Sequence, residues 1–124
     1  MDFRTFQSEI KQKAPPGTVF KNLGRGTSTI VSYSNVGVSY MRRQSIIYVQ
    51  FADLYGAYQK FKGTRVNSTD LKALAPSVFD SKADAPGHSC NCTFLFLLLQ
   101  RLGIIQNIYG RGVRGDPYSA DILA

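Results

Sequence analysis

Six consecutive apolar residues, Phe94-Leu95-Phe96-Leu97-Leu98-Leu99, constrain the fold of this chain more than any other stretch. The run is far shorter than the approximately 20 residues needed to span a bilayer, so it reads as a core helix. The spacing predicts a helix that starts near Asn91 and runs to Gly103. It is apolar on almost every side and hence central to the core. With 124 residues the chain fits one domain, 1–124, able to bury roughly two-thirds of its unfolded surface without disulfide or metal staples.

The rest of the chain divides by hydrophobic period. Phe3, Phe6 and Ile10 lie three and four apart, one face of a short amphipathic helix that Ala14-Pro15-Pro16-Gly17 stops. From Thr18 to Gln50 the residues are β-branched and aromatic, broken by turn signals, and Ser34-Asn35 marks a tight hairpin. An antiparallel meander of three or four strands is expected over 18–50. Phe51, Leu54, Tyr55, Tyr58 and Phe61 then return to helical spacing before Gly63. A second, capped helix begins near Ser68-Thr69-Asp70 and is limited by Pro76, and a loop is expected over 77–86. A late strand is expected over 104–113. The sum is an α+β domain with the helices packed on one face of the sheet. The alternative is a winged helix-turn-helix with the hairpin as wing, but its recognition helix would be the apolar third one, which has little with which to read bases.

Fifteen Lys and Arg against eight Asp and Glu leave a net charge of +7, spread over several loops. Such a field favours polyanions; anionic membrane surfaces would answer to the same charge, although no segment is apolar enough to cross one. Glycine flanks arginine in Gly24-Arg25-Gly26 and again in Gly110-Arg111-Gly112-Val113-Arg114-Gly115. Glycine lets backbone approach a ligand, and an arginine held there can offer its guanidinium fork to a phosphate or a base edge. Tyr40, Arg42 and Arg43 at a strand end join this set, with Lys60, Lys62 and Arg65 between two helices. Tyr109, Arg111 and Arg114 in the last loop complete it. Arginine and lysine supply phosphate contacts, and exposed tyrosines can stack on bases. Nucleic acid, duplex DNA above all, is the expected partner. The alternative is a small protein-interaction module, such as a phage or mobile-element inhibitor, docking its basic face on an acidic protein.

His88-Ser89-Cys90-Asn91-Cys92 is the candidate for chemistry. As a zinc site it lacks a fourth ligand unless Asp84 serves. As a nucleophile either cysteine would have only His88 as base, too near in sequence for the usual geometry. The plainer reading has Cys92 packed as a small hydrophobe, Asn91 or Ser89 capping the apolar helix, and His88 at the surface; free amides at that helix start could also hold a phosphate oxygen. The eight carboxylates are scattered, and a nuclease core of Asp followed by Glu-x-Lys is missing. No catalysis and no cofactor are expected of this chain. Two cysteines make no disulfide framework, and Met1-Asp2-Phe3-Arg4 lacks the apolar stretch of a secretory signal, so a reducing cytoplasm is the expected compartment.

From Gly26 to Gly103, four features form a pattern: the strand pair around Val36-Gly37-Val38-Ser39-Tyr40-Met41-Arg42-Arg43, the helix Phe51 to Tyr58, the capped Ser68-Thr69-Asp70-Leu71, and the apolar helix ending in Leu102-Gly103. This pattern resembles the N-terminal recognition domains of prokaryotic restriction endonucleases, including modification-dependent ones of the HNH type. The resemblance implies a DNA-reading module of a restriction or defence system, with the nuclease on a further C-terminal part of a longer protein. HNH residues are absent from this stretch.

Overall fold

A computed structural model describes residues 1–82 and 87–124. It is an α+β structure of helices and two antiparallel sheets. Helix α1 (Phe3–Lys13) starts where the Asp2 carboxylate accepts from the Thr5 amide at 2.8 Å, a bond that also holds the Asp2 carboxyl below its ordinary range. Strands β1 (Val19–Lys21), β2 (Thr27–Tyr33), β3 (Gly37–Arg42) and β4 (Ser45–Gln50) form the expected meander in sequence order. The turn at Ser34 closes as a hairpin, its hydroxyl accepting from the Gly37 amide at 3.1 Å.

One face of this sheet is buried through Phe20, Ile30, Val38, Tyr40, Ile47 and Val49. The other face leaves Val19, Met41, Ile46 and Tyr48 exposed. Helix α2 (Phe51–Phe61) buries Phe51, Leu54, Ala57 and Tyr58, and Phe6 of α1 stacks on Tyr58 with ring centroids 5.8 Å apart. Helix α5 (Cys90–Arg101) is the apolar centre: Phe94 stacks on Tyr40 at 3.8 Å between centroids and meets Phe20 edge-on at 6.2 Å.

The C-terminal half departs from the expected order. Strand β5 (Arg65–Asn67) leads into α3 (Ser68–Leu74), whose start carries a capping box between Asn67 and Asp70. Within the stretch expected as loop, α4 (Pro76–Phe79) forms, with proline at its first position. Residues 83–86 of that loop lie outside the described residues. The late strand shrinks to β6 (Ile108–Tyr109), and it does not join the meander. Instead β7 (Ser119–Asp121) runs between β5 and β6 as the centre of a second, three-stranded sheet. Strands of two or three residues carry no readable alternation; tertiary pairing makes them. The winged helix-turn-helix alternative is corrected as well, because α5 buries Asn91, Cys92 and all of Phe94–Leu99 and has no face to offer a groove. Among the described residues no helix is long and apolar enough to cross a membrane.

Candidate nucleic-acid interface

The β1–β2 and β3–β4 turns lie at the same end of the meander, since Ser28 opposes Arg42 in register. In the first turn buried Asn22 donates its side-chain amide to the Arg25 carbonyl at 3.3 Å, and its backbone N–H donates to Gly26 at 2.9 Å. Ser28 donates to the Asn22 side-chain oxygen at 2.7 Å, so a polar lock underlies Gly24-Arg25-Gly26 and presents Arg25 outward. In the second turn Arg43 occupies left-handed backbone, φ +58°, the only non-glycine among the described residues to do so.

The two Gly-Arg segments, some ninety positions apart in sequence, meet at one side chain. The Tyr118 hydroxyl lies 3.6 Å from where a Cβ on Gly24 would sit, while a Cβ on Gly112 would overlap the Tyr118 ring. Gly112, at φ +70°, therefore needs to be glycine for both its backbone and its neighbour. From there Val113 and Asp116 pair across a tight turn that puts Arg114 at its tip, with Gly115 at φ +85° beside it.

Arg114 faces a cleft of about 490 Å³ lined also by Ser68, Thr69, Lys72, Lys82 and Gly112. Three cations and two hydroxyls line it, and among the described residues no carboxylate does. Lys82 continues to Ser81, whose hydroxyl shares a 2.9 Å hydrogen bond with Ser89. Next to Ser89, His88 and Cys90 line a second hollow of about 550 Å³ with Arg42 and Arg43. Tyr118 thus relates the two glycine-arginine turns, Arg114 shares one cleft with Lys72 and Lys82, and Arg42 and Arg43 share the other hollow with His88.

The other expected site residues stand apart. Tyr40 was expected to reach nucleic acid; it is fully buried instead, stacked on Phe94 and donating its hydroxyl to the Asn91 side-chain oxygen at 2.7 Å. Burial raises its phenol pKa. Tyrosine on a strand of alternating pattern points inward or outward by register alone, and here Tyr40 falls on the inward face. Arg65 makes a two-pronged pair with Asp121, both bonds 2.9 Å, and covers the Tyr109 ring at 4.6 Å. The pair raises the Arg65 pKa and lowers that of Asp121. Arg111 bonds Asp116 at 3.1 Å. Lys60 borders a hollow with Asp70, Ala73 and Leu74, on the side of α3 opposite the cleft that Ser68, Thr69 and Lys72 line. Lys62 follows as the residue capping α2. Sequence reasoning misses Lys72 and Lys82, because nothing in their spacing ties them to the glycine-arginine loop that begins only at Gly110.

His88, Cys90 and Cys92 do not converge. Cys92 faces the interior, its thiol 3.6 Å from the Phe79 carbonyl, and burial pushes its pKa up to about 12. Cys90 turns the other way, its sulfur 3.5 Å from the Tyr40 hydroxyl oxygen. Among the described residues no three His, Cys, Asp or Glu side chains form a ligand cluster; Asp84 lies outside them. Neither Asn91 nor Ser89 caps α5 through its side chain: Ser89 bonds Ser81, and Asn91 donates to the Val78 carbonyl at 2.9 Å. The Asn91 and Cys92 amides already donate to the His88 and Ser89 carbonyls, so they are not free for a phosphate. Compared with family models, curated proteins and solved structures, the chain finds no match.

Proposed function

We propose that this chain is a nucleic-acid-binding module whose duplex DNA partner lies across the end formed by Arg25, Arg42, Arg43, Lys72, Lys82 and Arg114. One observation carries the reading: Tyr118 lies against Gly112 and reaches toward Gly24, bringing two cationic loops together beside a cleft that no described carboxylate lines. Guanidinium and ammonium groups held around a concave surface neutralise phosphates and release counterions. The protein binds without cutting, acting as the recognition part of a restriction or defence system whose nuclease is supplied elsewhere; the pattern shared with such recognition domains supports this finer assignment.

The test is binding to labelled duplex DNA over a salt series. Neutralising six phosphates, through Arg25, Arg42, Arg43, Lys72, Lys82 and Arg114, gives an affinity that falls about a thousandfold between about 50 and about 200 mM salt. Arg114→Ala and Lys72→Ala each lower the slope of log affinity against log salt by about one. Affinity indifferent to salt, or retention of one acidic protein with no DNA after nuclease treatment, would overturn the reading in favour of a protein-docking module.

A further inference from the structure

We propose that two copies of this chain pair edge to edge through β4, related by a two-fold axis at Tyr48, joining two meanders into one antiparallel sheet. The proposed pairing shares Arg42 and Arg43 with the nucleic-acid interface, and sedimentation of the protein without DNA reads it apart from that function. Among the described residues, strand β4 pairs only with β3. The Phe51 amide donates to the Val36 carbonyl at 2.9 Å, and that bond sets the phase of the ladder. Counting by twos along the register, Val49, Ile47 and Ser45 exchange bonds with β3, so Ile46, Tyr48 and Gln50 aim their N–H and C=O groups outward.

No described strand takes up those groups. Ser45-Ile46-Ile47-Tyr48-Val49-Gln50 also has no charge, no proline and no bulge against β3, three of the usual protections of an edge. Ile46 is 60% exposed and Tyr48 46%. Hollows adjoin the strand on both halves, one of about 550 Å³ beside Ser45–Ile47 and one of about 150 Å³ beside Tyr48–Gln50.

The ends of this edge carry opposite charge. Arg42 and Arg43 stand before it, Asp53 in the first turn of α2 stands after it, and none of the three forms an ion pair with a described residue. Antiparallel pairing about Tyr48 sets Ile46 against Gln50 of the second copy and brings the Arg43 end against the Asp53 end, twice over. A two-fold interface needs this self-complementarity. An acidic peptide in the same place would answer the arginines and leave Asp53 facing nothing, so a second copy is the better occupant.

A six-residue edge buries less than the roughly 1,200 Å² of a standard stable interface, so the dimer exchanges with monomer. Sedimentation equilibrium of the full chain from about 1 µM to about 1 mM reads it, starting from the 13.7 kDa monomer. The expected result is a mass that doubles with concentration. Tyr48→Lys abolishes the doubling. So does Gln50→Pro, which removes an outward N–H at a φ of −78° that proline accepts. Arg43→Asp and Asp53→Arg each weaken pairing about tenfold, and the double variant restores it. A monomer at every concentration, or a dimer unmoved by Gln50→Pro, would overturn the proposal.

Discussion

At the scale of single residues, the two positions that matter most are a buried phenol and a strained guanidinium bearer. Tyr40 and Asn91 form a closed polar pair inside the core: the hydroxyl reaches the Asn91 oxygen at 2.7 Å and the Asn91 nitrogen reaches Val78 at 2.9 Å. Removing the hydroxyl leaves that oxygen desolvated, so Tyr40→Phe is expected to cost about 1–3 kcal/mol in urea unfolding despite keeping the ring stack. Arg43 makes the opposite case. Its left-handed backbone disfavours a β-carbon, and the first central position of such a two-residue turn normally takes glycine. Arg43→Gly is expected to raise stability by about 1 kcal/mol, read as a higher urea midpoint, while weakening duplex binding. A residue kept at a conformational cost beside Arg42 and His88 fits a role at the surface rather than in the fold.

At the scale of elements, α3 is the hinge between fold and interface. Its capping box fixes the start of a seven-residue helix whose one face lines the cationic cleft and whose other face borders Lys60. Asn67→Ala deletes the bond to the Asp70 amide, 2.8 Å long, and is expected to cost about 1 kcal/mol by thermal unfolding. Because Lys72 rides on the same helix, that variant should also bind duplex more weakly than its stability loss explains. Elements with a period were legible in advance: α1, the meander, α2 and α5 all follow from spacing and stop signals. The second sheet was not, since β5, β6 and β7 are two or three residues each and exist because Ala120 inserts between Val66 and Ile108. The interface was legible in part for a related reason. Glycine-arginine loops announce themselves in sequence, but Tyr118 as their meeting point, and the turn of Tyr40 inward, depend on register and long-range packing that spacing alone does not encode.

At the scale of the whole molecule, the core around α5 is closed enough to separate two cysteines that stand two residues apart. Helical geometry sends them to opposite sides: Cys90 borders the Arg42–His88 hollow, while Cys92 sits 1% exposed under α3 and α4. A thiol reagent is therefore expected to modify one cysteine per folded molecule, with the second reacting only at the rate of global unfolding. The same burial ties stability to alkali. The folded Cys92 thiol loses its proton only near a pKa of about 12, against 9.0 in the unfolded chain, so the unfolded state releases a proton first as pH rises. Stability held in full below the unfolded value must then decline across the interval up to about 12. Unfolding midpoints measured over that range should fall with pH in the native chain and fall less in Cys92→Ala, which has no thiol to ionise. Equal slopes in the two proteins would mean that Cys92 is wetter than its packing against Phe79 requires, and the closed core inferred around α5 would have to be opened.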